Sequence, residues 1–436
     1  GTDIVTINTA SATGTFASAN VGTGIVVTVA GIAKAGADNA NYTITQPTTT
    51  ADITARSLTV TATNQTKTYG DSTLGTTLFT SSGLQNGETI GGVTLTSNST
   101  LSTSGNYIVG SSTITPSAAI GGTFTITNYS VTYATGTLTM NAKALTVSNV
   151  TANNKVYDGL TTASLNLGTA AFVGVVGTDI VTINTASATG TFANPNVGTG
   201  ITVTVSGIAK SGADNANYTI TQPTTTANIT VRGLTVTASN QTKTYGDSTL
   251  GTSAFTSSGL QNSETIGSVT LSTNATTSTS NNYNVGGSWV ITPSSATGGT
   301  FTASNYSITY ATGSLTVNAK ALTVSNVTAS NKVYDGLTSA TLNTASAAFV
   351  GVVGSDICAI TTGSAVGTFV NANVGTGITV TVSGIGKSGT DNANYTITQP
   401  TTTANITVRG LTVTANNQSK TYGDSSLGTS AFTSSG

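Results

Sequence analysis

Nothing constrains this 436-residue chain more than its internal repetition. The phrase GTDIVTINTASATGTF starts at Gly1 and again at Gly177, and a diverged copy, GSDICAITTGSAVGTF, starts at Gly354. A KTYGD motif places Tyr69, Tyr245 and Tyr422 at spacings of 176 and 177 residues, and KVYDG copies place Tyr157 and Tyr334 midway between them. Two related unit types of about 88 residues therefore alternate in a supercycle of about 177. Self-similarity at a fixed period marks an array of small modules, not one large core. The boundaries fall at 1–56 (part of a KVYDG unit), 57–143 (KTYGD), 144–232 (KVYDG), 233–320 (KTYGD), 321–409 (KVYDG) and 410–436 (part of a KTYGD unit).

The local pattern is strand throughout. Ile201-Thr-Val-Thr-Val-Ser alternates apolar and hydroxyl residues, which puts Ile201, Val203 and Val205 on one face and Thr202 and Thr204 on the other. Gly, Asn and Ser clusters interrupt such runs every 8–12 residues or so, as in sandwiches and barrels. No window shows a helical period; Leu84-Gln-Asn-Gly-Glu-Thr is the one place for a single helical turn. Each unit opens on a Leu-Thr-Val phrase (Leu58, Leu145, Leu234, Leu322, Leu411) and carries an Asn-Tyr pair late in its length (Tyr42, Tyr129, Tyr218, Tyr306, Tyr395). Between the strand ending at Met140 and the one opening at Leu145 lie only Asn141 to Ala144. The expected fold is all-β: a tandem array of about five small β-sandwich modules, Ig-like or β-grasp-like. They form an elongated, stiff rod on the order of 150–200 Å long.

Charge decides which functions to exclude. Only 6% of residues are charged, with 13 Lys and Arg against 14 Asp and Glu. Arg56, Lys143, Arg232, Lys320 and Arg409 sit at unit junctions, and Lys67, Lys155, Lys243, Lys332 and Lys420 precede the motif tyrosine. Lys34, Lys210 and Lys387 follow Gly-Ile-Ala or Gly-Ile-Gly. The acids repeat likewise: five in the motif itself, Asp3, Asp179 and Asp356 after Gly-Thr or Gly-Ser, and Asp38, Asp214 and Asp391 before Asn-x-Asn-Tyr. Glu88 and Glu264 belong to the KTYGD units, and only Asp52 falls outside a repeated slot. An active site needs a unique constellation of tuned groups; charges copied along an array serve each unit or its contact with the next. The expectation is therefore no enzyme, no catalytic residue, no cofactor-binding residue and no metal ligand. Scattered cations provide no nucleic-acid patch, and no apolar run approaches the length of a membrane span. No signal peptide is legible, although the chain opens in mid-pattern. There is no His and a single Cys, which makes a disulfide framework impossible and a Cys/His metal site nearly so.

Several residues still offer sharper readings. Cys358 takes the slot of Val181 and Val5, which fits a small core position. The KxY motif reads as a tight turn whose tyrosine buries its ring while its hydroxyl reaches a backbone partner. Asp158 is the candidate for calcium, but acids are sparse for an ion that takes six to eight oxygens. Lys67 or Lys155 is the donor for an intramolecular crosslink, against a snorkelling surface lysine. Asn41, Asn98, Asn149, Asn217 and Asn305 head glycosylation sequons, in a chain where such triplets arise by chance. Thr48 to Thr54 is Thr-rich but lacks the short period of an ice-binding face. Trp289, the only Trp, has Thr113 or Ser112 as its counterpart, so it belongs to no repeated binding face.

The alternation of KVYDG units ending GADNANYTITQPTTTANIT with KTYGD units ending NYSVTYATGTLTM resembles the YDG-type and MBG (YGX-type) repeat domains of large secreted bacterial surface proteins. Asn196 to Pro223 is especially similar to the YDG type, while Tyr107 and Tyr283 sit in GNYIVG and NNYNVG where that family more often reads VGTY. The resemblance implies export to the bacterial cell surface and service as the structural repeat of a fibre, stalk or filament of adhesin or biofilm type. The alternative is direct binding of surface glycans by the modules. The expected partners are neighbouring copies of the chain along a fibre, and host or environmental glycans. The ends begin and stop within units, which leaves two accounts open: an excerpt of a longer chain, or strand complementation between the termini of successive subunits.

Overall fold

The computed structural model describes residues 1–426, 429 and 431–436; Leu427, Gly428 and Ser430 of the last segment lie outside the described residues. Among the described residues all regular structure is strand, apart from five short 3-10 turns that each lead into the tyrosine of an Asn-Tyr pair. The chain forms two units, one of residues 1–155 and 161–229, the other of residues 156–160 and 230–436.

In the first unit, residues 56–141 show how a KTYGD module folds. One sheet places Gln65–Thr68, Gly136–Asn141, Gly110–Gly122 and Ile90–Ser97 side by side; the other places Arg56–Ala62 between Tyr129–Ala134 and Phe79–Ser82. Arg56–Ala62 alternates as the sequence pattern requires, with Leu58, Val60 and Ala62 buried. Leu58 and Val60 pack with Val93, Ala119 and Tyr129, while Ala62 packs with Leu74, Ile114, Leu138 and Met140. Pro116 lies within this module's longest strand, but pairing with Gly136–Met140 covers only Gly110 to Ile114. From Thr115 onward that side of the strand has no partner in the sheet, so the missing N–H leaves no gap in a ladder.

The KVYDG module is seen whole in the second unit. Five strands run in the order Lys332–Val333, Thr401–Thr407, Gly375–Ser383, Val366–Phe369 and Ser339–Ala340. A second sheet holds Lys320–Ser325 between Ala348–Val350 and Tyr395–Thr398. Phe369, Val380, Ala404 and Ile406 form its core. In the first unit, Val203 and Val205 are buried while Thr202 and Thr204 face out, as their alternation predicts.

Two expectations change. The Leu84-Gln-Asn-Gly-Glu segment is not helical. Glu88 N–H donates to Gln85 O (2.8 Å) around Asn86 and Gly87, both at positive φ. Asn-Gly suits that left-handed pair, and a helix does not. The link between modules is also shorter than four residues. Gly136–Asn141 ends one residue before Lys143–Ser148 begins, and Gly313–Asn318 one residue before Lys320–Ser325. The chain passes from one module's last strand to the next module's first across a single residue, Ala142 or Ala319.

Candidate functional site: the module joint

With one residue between strands, the joint is built by side chains. The motif tyrosine is pinned first by its backbone: Tyr69 N–H donates to Asn141 O and Tyr245 N–H to Asn318 O, both at 2.8 Å. This holds the tyrosine at the end of its own module, with its side chain directed into the next. There Tyr69 Oη donates to Asp179 Oδ2 (2.5 Å), and Tyr218 Oη donates to the same oxygen (2.6 Å). The two rings meet edge to face, 5.2 Å apart at 74°.

The second unit repeats the arrangement. Tyr245 and Tyr395 both donate to Asp356 Oδ2, with rings 5.2 Å apart at 76°. The KVYDG-to-KTYGD joint keeps the logic with a longer acid. Tyr157 Oη donates to Glu264 Oε1 (2.7 Å), Tyr306 Oη donates to Oε2, and the rings lie 5.3 Å apart at 79°. Each of these three joints is a carboxylate clasped by one tyrosine from either side. The sequence reading expected a backbone partner for the motif hydroxyl. The observed partner is an acid from the next module, because the turn aims the phenol out of its own fold.

A serine turn completes the aspartate joints. Ser104 N–H donates to Asp179 Oδ1 (3.1 Å), and its hydroxyl bridges Val176 O and Thr178 N–H, both at 2.8 Å. Ser280 serves Asp356, Val353 and Ser355 in the same way. Asp214 accepts from Thr103 N–H (3.2 Å) across the joint and from Ile180 N–H (2.9 Å) within its own module. Asn217 Oδ1 accepts from Val109 N–H, and Asn394 Oδ1 from Val285 N–H, each at 2.9 Å. Apolar packing is continuous across these seams. Tyr69, Leu145 and Tyr218 cluster with Val109, Val176 and Val181; Tyr245, Leu315, Leu322 and Tyr395 belong to a single core.

The electrostatics follow from burial and these bonds. Burial and the neighbouring aspartate push Tyr69 and Tyr245 up to about 12, and raise Tyr218 and Tyr395 further. Burial also pushes Asp179 and Asp356 up, but the phenols and the serine donors outweigh it and hold both below the usual carboxylate range. Each aspartate lock is therefore an ionised acid between two neutral phenols at neutral pH. A charge-assisted bond of this kind contributes about 1.5–3 kcal/mol, and an edge-to-face aromatic pair adds about 0.5–1.5 kcal/mol beyond its burial.

The other singled-out residues take structural places. Cys358 is half-buried and packs against the shared core around Tyr245 and Tyr395, and burial pushes its thiol up. Asp158 accepts from Leu160 N–H (2.9 Å) in its own turn. Among the described residues no group of three Asp, Glu or Cys side chains gathers as a metal site. Lys67 pairs with Asp71 (3.0 Å), whose carboxyl falls to about 2 under Thr73 and Lys67. Lys155 donates to Thr162 O (3.0 Å) and lies over the Phe192 ring. Asn217 and Asn305 are 4% and 1% exposed, so those two sequons are closed to glycosylation by their place at the joints. Trp289 pairs with Leu315 where Ser112 pairs with Leu138, so Ser112 is its counterpart. The extra residue is taken up by an irregularity between Gly286 and Trp289.

A family model described as YDG domain matches residues 1–51, 141–227 and 318–404. The chain belongs to the YDG domain family. Between its YDG domains lie matches to the MBG domain (YGX type) at residues 58–139 and 234–316, so the two families alternate along the chain. No curated protein matches it. Among solved structures, Drosophila N-cadherin EC1-4 is similar at 8% identity over 80% of this chain and 100% of that one, with a TM-score of 0.18. Sidekick-1 immunoglobulin domains 1-5 is similar at 10% identity over 89% and 86%, with a TM-score of 0.21. Surface layer protein SbsC, domains 1-6, reaches 16% identity over 85% and 57%, with a TM-score of 0.16. Scores at this level carry no argument for a YDG chain. Among the described residues no helix is long and apolar enough to cross a membrane.

Proposed function

We propose that this alternating YDG and MBG array is the structural repeat region of an extracellular bacterial fibre, stalk or filament of adhesin type, and that it performs no catalysis. The observation that carries this reading is the tyrosine–carboxylate–tyrosine lock, present in both alternations of module type. The buried acids that an enzyme would tune for chemistry are here occupied by phenols and backbone N–H groups. Joining successive modules through a shared core and an ionised clasp resists bending and transmits load, which is what a stalk must do.

The test is force spectroscopy on the full chain, with protease shaving of cells that express it. Sequential unfolding of single modules, together with loss of the chain from intact cells on shaving, supports the reading. Retention of the chain inside shaved cells, or turnover of a small-molecule substrate, refutes it. Robust sugar binding by every module would favour adhesive modules instead.

A further inference from the structure

One joint carries chemistry that its counterpart lacks. Beside the lock at Asp356, a cleft of about 640 Å³ opens between the MBG segment and the last YDG segment. Val285, Ile357 and Ala393 form its apolar part, and Thr277, Asn284 and Thr390 line it with hydroxyl and amide groups. At the corresponding positions of the first unit stand Leu101, Ile108 and Ala213. All three differences run from apolar to polar, in copies that otherwise share the joint residues Tyr, Asp, Ser and Asn. Trp289, in the place of Ser112, donates its indole N–H to Asn284 O (3.2 Å) and so fixes the segment that bears the amide.

We propose that this cleft binds a short neutral oligosaccharide. A pyranose presents C–H faces and a rim of hydroxyls, and a site with an apolar floor and a few convergent polar groups is what such a ligand needs. The Asn284 amide is already oriented: its Oδ1 accepts from Asn394 Nδ2 (2.9 Å), and its Nδ2 donates to Thr276 Oγ1 (3.0 Å). One amide hydrogen and one acceptor lone pair remain for a ligand. The charge in the cleft is Asp391, 5% exposed, whose carboxylate accepts from Ile357 N–H, Thr279 N–H and the Thr279 hydroxyl. No cation lines the cleft. Lys387 stands nearby, but its ammonium is turned to the carbonyls of Asn392 and Tyr395 and does not line the cleft, so the charge lining the cleft is negative, which disfavours anionic sugars and leaves neutral ones. The lock needs no ligand, so the cleft is an addition to the structural role and not a condition of it.

Because Trp289 is the only tryptophan, its emission in the full chain reports on this place alone. The chain is titrated with cellotetraose, maltotetraose and chitotetraose, and with a hyaluronan tetrasaccharide as the anionic probe. A saturable emission change with at least one neutral probe is expected, and none with the anionic one. The triple variant Thr277→Leu, Asn284→Ile, Thr390→Ala installs the residues of the other joint and should weaken binding at least about tenfold. Hydrogen exchange at Val353 to Asp356 should stay unchanged, which separates loss of the cleft from loss of the lock. If the triple variant does not fold, Thr390→Ala alone should still weaken binding. The proposal is overturned if no neutral probe gives a saturable change, if the anionic probe binds as well, or if the folded variants bind like the wild type.

Discussion

Replacing Tyr245 by Phe removes one oxygen from a lock and leaves its ring in place. The phenol donates to Asp356, and its oxygen lies 2.6 Å from Ser278 Oγ, in a side chain that is 8% exposed. Asp356 keeps Tyr395 and the Ser280 N–H as donors, so the acid is weakened and not orphaned. Losing a charge-assisted bond costs about 1.5–3 kcal/mol, and part of the serine's pairing goes with it, so about 2–3 kcal/mol is expected. The loss is local. In a multi-module chain a single melting temperature is not a defined quantity, so the assay is native-state hydrogen exchange on the full chain. Amides of Ser280 and of Val353 to Asp356 should exchange about 30- to 150-fold faster, the equivalent of that free energy. Residues 103–109 and 176–180 in the first unit should not change. Tyr422→Phe, at a motif tyrosine whose side chain is fully exposed, is the control and should do nothing measurable. If Tyr245→Phe leaves exchange at Asp356 within about 0.5 kcal/mol of the wild type, the clasp does not hold the joint.

The remaining predictions concern pH and backbone. Asp179 and Asp356 have depressed folded-state values, so their contribution is complete above about pH 4 and falls away as pH drops through the lower folded value; protection from exchange at both joints, taken against the intrinsic rate at each pH, should fall together on acidification, and Asp356→Asn should abolish that response at its own joint. Tyr69 and Tyr245 are raised to about 12, so their contribution is complete below about pH 10 and is lost as pH climbs from there through 12, about 2–3 kcal/mol for each. Phenolate absorbance of the full chain between pH 9 and 12 checks this. Gly389→Ala should destabilise its module by about 2 kcal/mol or more, since φ is +108° and a Cβ would lie 2.3 Å from Ile357 O. Gly287→Ala, with nothing within 4 Å of the added carbon, should stay within about 0.5 kcal/mol, both variants being read by native-state hydrogen exchange in the strands around them.

The sequence by itself determined a great deal here. Period-two alternation assigned the strands and their inner faces, as at Ile201 to Val205, because a strand's side chains alternate whatever surrounds it. The repeat and its motifs pointed to the two families that the matches show. Copying of the charges directed attention to structure and joints. What the sequence left open was which groups meet. Asp179 lies 110 residues from Tyr69, and Glu264 lies 107 from Tyr157. The two acids also occupy unrelated slots, one after Gly-Thr and the other in an Asn-Ser turn, so aligning the unit types does not reveal that they do the same work. The burial of Asn217 and Asn305 was illegible for the same reason: a triplet carries no record of the neighbour that buries it. Local geometry is written in consecutive residues. The lock is decided by where a one-residue link and a pinned turn carry a phenol, and only the tertiary structure contains that.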